Sequence, residues 1–484
     1  MQADDADSLR PTAESRTAHG RRLPNRGSQE QPGNRRSRAR SPGRRSHERP
    51  ARQRGHVRTP GRRGQERPPG RRRPGRRTIQ RGVQLSRKQL LGVTLLLGLM
   101  TGLGPATVDM YLPALPQLSE EFMVSTASVQ ATLTGSLLGM ATGQLVIGPL
   151  SDMLGRRRPV IIGVSVHVLS ALATIVAPSI AVLMALRVLQ GFGAAAGAIT
   201  SMAIVRDLFA GRGASTMFSR LMLVTGVAPV ISPALGGFLM TFTGWRGIFA
   251  ALAIASTLVV VVCSTLLPET LPPESRIPAR PRVMARSIGV LLSDRVYAGA
   301  LLTQALMFAA SFSYVSGMSF ILQEGFGLSA GEFGYLFSAG TFGMIGMSQV
   351  NPVLLKRLIP GQVLLLGLGG VITFGLLMTT LTSTGVGGMW GLLVPIWGAL
   401  AFQQLIVPNT QTIALTRHGE RAGTASAFLT ASMSLSGALA APLLGFVGAT
   451  AVSLSVVMLT FYLLSATATA VLIRRSGIRE SDAT

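Results

Sequence analysis

From Leu90 onward, apolar stretches of membrane-spanning length follow one another almost to the end of the 484-residue chain, with only short polar breaks between them. A hydrocarbon core about 30 Å thick takes about 20 helical residues to cross, and a backbone inside it must satisfy its own hydrogen bonds. The stretches fall at 89–112, 127–150, 159–177, 181–204, 215–241, 246–267, 297–322, 331–354, 361–383, 388–411, 421–447 and 450–473. Twelve such spans make an all-α polytopic membrane protein. The longest polar interval, Pro268–Arg295, divides them into two sets of six, a layout that suggests structural repeats with a site at their interface. The expected organisation is a tail at 1–87, a six-helix bundle at 88–267, a linker at 268–296, a second six-helix bundle at 297–473 and a short tail at 474–484.

Residues 1–87 are of another kind. They hold 25 Arg against 7 acids, with scarcely an aliphatic side chain from Arg10 to Arg81. Such a segment cannot bury enough apolar surface to offset its ordering entropy, so disorder is expected. Its charge suits a polyanion or an anionic lipid surface. It has no aromatic residue on which a base could stack, and no nucleic-acid partner is expected. Arg-rich, Lys-free sequence is also what GC-rich DNA yields ahead of a true start, and translation from near Val83 would leave every span intact. No apolar segment precedes Leu90, so no signal peptide is expected.

Composition excludes an ordinary soluble enzyme, since 47% of the chain is hydrophobic and only 14% is charged. Neither lysine, Lys88 or Lys356, follows a glycine as a phosphate-binding loop requires. The one cysteine, Cys263, allows no internal disulfide. No metal or other cofactor is expected.

The basic residues orient the spans. Under this segmentation 19 of the 21 Lys and Arg beyond residue 87 fall at one side, among them Arg156–Arg158, Arg206, Arg212, Lys356, Arg357, Arg417 and Arg421. Arg246 sits at the opposite side with Glu120, Glu121, Glu324 and Glu332. The positive-inside rule then puts both termini in the cytoplasm.

Two charged residues lie well inside spans: Asp109 in the first and Arg187 in the fourth. Ionisable groups at membrane depth are costly and mark function by default. A carboxyl group there can take up and release a proton or hold a cationic substrate, and a nearby Arg can tune it. Because span one runs outward and span four inward, both groups are expected in the outer half at similar depth. His167 in span three reads as peripheral. Span five is rich in residues that permit close helix approach or bending, namely Gly226, Pro229, Pro233, Gly236 and Gly237. In the loop after span two, Gly148-Pro149-Leu150-Ser151-Asp152-Met153-Leu154-Gly155-Arg156-Arg157, Asp152 can pair with an arginine while Gly155 turns the chain.

Together these residues resemble the major facilitator superfamily, specifically its twelve-span drug/proton antiporters. Gly148 to Arg157 is similar to the family's loop signature, Arg187, Gln190 and Gly191 to its span-four signature, and Gly226 to Gly237 to its span-five antiporter signature. A finer resemblance is to the bicyclomycin and chloramphenicol resistance family, Bcr/CflA, whose first-span run stands here as Asp109-Met-Tyr-Leu-Pro-Ala-Leu-Pro116. Met202–Asp207, Pro268–Pro272, Pro408–Thr410 and His418–Ala427 are further similar stretches. Asn351-Pro352 to Arg357 is a degenerate second copy of the loop signature, and the long tail departs from the family pattern.

The resemblance implies a bacterial inner-membrane exporter of small drug-like organic compounds, working as a monomer in the lipid bilayer and driven by inward proton flow. Asp109 would carry coupling with help from Arg187. Gly148, Asp152, Gly155, Arg156 and Arg157 would form a cytoplasmic gate. Gln190, Gln304, Phe308, Phe312, Tyr314, Trp397, Phe402 and Gln403 would be available to line the cavity. A proton-coupled symporter importing a small nutrient is the alternative.

Overall fold

The computed structural model describes residues 87–473 apart from 277, 279 and 280. The Arg-rich tail, its alternative start near Val83 and the tail at 474–484 lie outside the described residues. Every regular element among the described residues is helical. They are α1 (Arg87–Asp109), α2 (Leu115–Glu121), α3 (Thr126–Leu154), α4 (Arg157–Ile175), α5 (Ile180–Leu208), α6 (Gly211–Leu266), α7 (Pro281–Ser293), α8 (Arg295–Phe320), α9 (Ala330–Leu354), α10 (Pro360–Thr384), α11 (Gly388–Thr416), α12 (Ala422–Ala440), α13 (Leu443–Val447) and α14 (Ala451–Ala468).

Ten helical segments among the described residues are long and apolar enough to cross a membrane. The twelve expected spans differ from these ten for two physical reasons. The 56-residue α6 is broken at Gly244, whose φ of 63° and ψ of −168° no helix tolerates, so its limbs at 211–243 and 245–266 are two spans. The other is α9, 25 residues long but too rich in Gly, Ser and Asn to match the hydropathy of the rest.

The expected first span also ends early. Pro113 has no N–H to give the Asp109 carbonyl, so α1 stops at Asp109 itself. A 3₁₀ turn at Leu112–Ala114 then leads into α2.

The helices sort into two packed groups. Helices α3, α4 and α5 pack on one another, and α1 and α6 close that set; α8 packs with α12 and α14, and α10 with α11 and α14. Between the groups, α6 meets α9 and α3 meets α12. The α3–α5 contact is backbone against backbone: a Cβ at Gly139 would strike the Val188 carbonyl, and one at Gly191 the Ser136 carbonyl. The loops holding Arg156–Arg158, Lys356, Arg357, Arg417 and Arg421 form a basic end of the bundle. Glu120, Glu121, Glu324 and Glu332 mark the acidic end.

Candidate functional site

Residues on α1 separated by four lie one above the other, whereas residues two apart differ by about 200° around the axis. Thr107, in the last turn of α1, and Tyr111, just beyond its end, both meet Arg187 of α5. The guanidinium donates from Nη1 to the Thr107 carbonyl at 2.9 Å and to Gln190 Oε1 at 2.7 Å. Its carbon stands 4.5 Å from the Tyr111 ring centre and 5.7 Å from that of Phe249. Arg187 is wholly buried, and its Nε and Nη2 have no protein partner. A buried charge with neither counter-ion nor full hydrogen bonding costs several kcal/mol, and the two ring faces offset only part of that.

Asp109 lies two residues past Thr107, about 200° around the helix from it. It is half-buried, its carboxylate makes no hydrogen bond or ion pair with another described residue, and it lies within electrostatic reach of Tyr314 on α8. The two groups expected to act together form no hydrogen bond or ion pair with each other. Arg187 holds the backbone two residues before Asp109 instead.

His167 is not peripheral. It is fully buried on α4, with Nε2 2.9 Å from Thr107 Oγ1. That hydroxyl also lies 2.6 Å from the Leu103 carbonyl, and when it donates its single proton there His167 Nε2 is the donor to it, while Nδ1 has no partner among the described residues. Thr107 thus joins His167 and Arg187, and Tyr111 OH meets Thr132 Oγ1 at 2.9 Å beside them.

At the basic end, Gly155 turns the chain with φ 93°, and a Cβ there would collide with the Glu269 carboxylate. Glu269 instead accepts from the Arg156 amide at 2.8 Å. The Arg156 side chain bonds Asp207 at 2.8 Å, Ser151 at 3.0 Å and Asp152 at 2.5 Å, while Arg157 donates to the Ser264 carbonyl. Each of these bonds stays within residues 151–271, so the cluster ties the ends of α3, α5 and α6 together rather than reaching the second group. Gly148 has no neighbour within 4 Å of where a Cβ would stand. The same is true of Gly226, whereas Gly236 abuts the Met110 carbonyl and Gly237 the Ala330 carbonyl. Pro229 and Pro233 sit inside an unbroken helical limb.

A model of the Major Facilitator Superfamily matches residues 97–441. The chain belongs to the major facilitator superfamily. It is 36% identical over 77% of its length to an uncharacterized MFS-type transporter, YdgK, of Bacillus subtilis, covering 92% of that protein. It is 32% identical over 69% of its length to a bicyclomycin resistance protein homolog of Haemophilus influenzae, covering 84% of it. Among solved structures, a bacterial homolog of the human lysosomal transporter Spinster, in an inward-facing and occupied conformation, superposes with a TM-score of 0.64. That match covers 82% of this chain and 99% of the other at 16% identity, which speaks for the fold alone.

In this facilitator the second group of helices holds amides and rings. Gln304 donates to the Val407 carbonyl at 3.1 Å and Gln403 to Ser311 Oγ at 2.6 Å, both tying α8 to α11. Phe308 and Phe312 stack 5.5 Å apart, and a Cβ at Gly437 of α12 would meet the Phe308 ring. Tyr314 stacks on Phe337 at 4.9 Å. Phe402 wedges against Gly370 and Phe374, and Trp397 against Gly340 and Trp390, so both are packed on their own group. Two stretches noted separately in the sequence meet here, with Asn409 Nδ2 2.7 Å from Asn351 Oδ1. Among the described residues no cluster of His, Cys, Asp and Glu could hold a metal ion.

Proposed function

We propose that this facilitator is a proton-driven exporter of small organic, drug-like compounds that works by alternating access. In this reading both termini are cytoplasmic, the basic end faces the cytoplasm, and two halves, 88–267 and 297–473, rock about a central site as the linker at 268–296 flexes. The protein acts as a monomer in a bacterial inner membrane, with no cofactor beyond the proton gradient and no nucleic-acid partner.

One observation carries the reading: Asp109, without a hydrogen-bonding or ion-pair partner among the described residues, sits where α1 stops, within electrostatic reach of Tyr314. Proton coupling needs a group that alternates between charged and neutral within the membrane, and an arginine cannot. Arg187 would bias that exchange through the α1 backbone it grips. Asp152, Gly155, Arg156, Arg157 and Gly148 would stiffen the cytoplasmic end, and Gln190, Gln304, Phe308, Phe312, Tyr314, Trp397, Phe402 and Gln403 would shape the substrate path directly or through packing. The resemblance to a bicyclomycin resistance protein homolog supports export over import. The test is a drug-susceptibility panel in an efflux-deficient host carrying the intact gene or an Asp109→Asn copy. Resistance with the first and none with the second is expected; no resistance from the intact gene, together with proton-linked nutrient uptake, would favour a symporter instead.

A further inference from the structure

The first-span run that carries Asp109 has a second consequence. Pro116 lacks the N–H that would give Leu112 its helical partner, so the Leu112 carbonyl takes only a 3₁₀ bond from the Leu115 amide. Its other lone pair accepts from Ser319 Oγ of α8 at 2.6 Å. The next carbonyl, that of Pro113, accepts from Gln323 Nε2 at 3.2 Å, and the same amide group donates to Ser319 Oγ at 2.7 Å. The result is a hydrogen-bonded chain, from the Gln323 amide to the Ser319 hydroxyl to the Leu112 carbonyl, crossing from one group of helices to the other. Gln323 stands in a π turn at Ile321–Gly325, directly after α8. The Leu112–Ala114 turn and Gln323 are therefore both locally non-α, while Ser319 stands in the last turn of α8. One α-helical turn deeper, Gln130 of α3 donates to the Ser316 carbonyl at 3.0 Å and continues the seam. At the basic end the Arg156 cluster stays within the first group. The bonds of Asp294 to Val296 and His418 stay within α8 and the loop before α12.

We propose that Ser319 and Gln323 are positioning residues of the transport cycle. They latch the acidic end by holding the carbonyls of Leu112, which Pro116 leaves without its helical partner, and of Pro113, three and four residues past Asp109. Any rearrangement of α1 at Asp109 then pulls on the latch, which links the membrane carboxylate to opening at that end. The proposal rests on the alternating-access reading, but its test needs neither a substrate nor a proton gradient.

Spin labels at Val176→Cys and Val386→Cys, in a Cys263→Ala background, report the separation of the two groups at the acidic end, since Val176 and Val386 are exposed loop residues there, one in each group. In purified protein, Ser319→Ala combined with Gln323→Leu should raise the ratio of long to short distances about tenfold, as expected for losing two to three hydrogen bonds that act together. Ser319→Ala alone should raise it about threefold, and Ser319→Thr, which keeps the hydroxyl, should match the parent. Parent-like distances in Ser319→Ala, or equal opening in Ser319→Thr, would overturn the latch. Opening in the variants of a protein that exports nothing would uphold the latch and count against the exporter reading alone.

Discussion

The two groups of helices share one architecture but carry their polar groups differently. In the first, α1 to α6, the membrane interior holds a carboxylate, a guanidinium and an imidazole, and α3 and α5 approach backbone to backbone through glycines. In the second, α8 to α14, every charged residue described lies at a helix end or in a loop. Its interior amides Gln304, Gln403 and Asn409 bond to neighbouring helices. The basic ends differ too. Buried Arg156 bridges the half-exposed Asp152 and the largely buried Asp207, whereas Asp294 pairs with His418 and, at 3.6 Å, with the 40%-exposed Arg417. Charge inside the membrane-spanning region is thus concentrated in the first half, where glycines bring the helix backbones together.

The contrast can be broken in several places. The largest effect is expected at Arg187. Arg187→Met removes a buried charge with no counter-ion, so the protein should unfold at the same or a higher temperature, yet transport in vesicles should fall more than about tenfold. Arg187→Lys should also lose transport, because a point charge cannot bridge the Thr107 carbonyl, Gln190 and two rings. Next comes packing. Gly139→Ala should cost about 3 kcal/mol, read from thermal unfolding in detergent, because the new methyl meets backbone; Gly369→Ala in the second half, with nothing within 4 Å, should stay within about 0.5 kcal/mol. At the basic ends, Asp207→Ala should cost about 3 kcal/mol by leaving Arg156 short of a partner. His418→Gln should cost only about 1 kcal/mol, since Asp294 keeps Arg417 and its cap on α8. Equal losses at these two positions would erase the distinction between the halves.

Much of the framework was legible in the chain. Apolar length located the spans, the gap between residues 241 and 246 held the break inside α6, and rarity of charge singled out Asp109 and Arg187. What could not be read was rotation. These helices are apolar around most of their circumference, so hydropathy does not say which face of α1 meets α5, and hence that Arg187 grips Thr107 rather than Asp109. The same gap concealed His167, whose partner Thr107 lies 60 positions away, and the union of Glu269 with the Gly155 turn. A signal for His167 existed in principle, since a histidine in an apolar span needs a polar partner at its own depth.

The central claim is that Asp109 is the proton-coupling group. It is tested most directly by measuring proton release or uptake when a transported compound is added to purified protein in weakly buffered detergent, for the parent and for Asp109→Asn. The parent should exchange protons with the compound, and Asp109→Asn should bind it while exchanging none, because the amide keeps the shape and removes the titration. Proton exchange of parental size in Asp109→Asn would contradict the account.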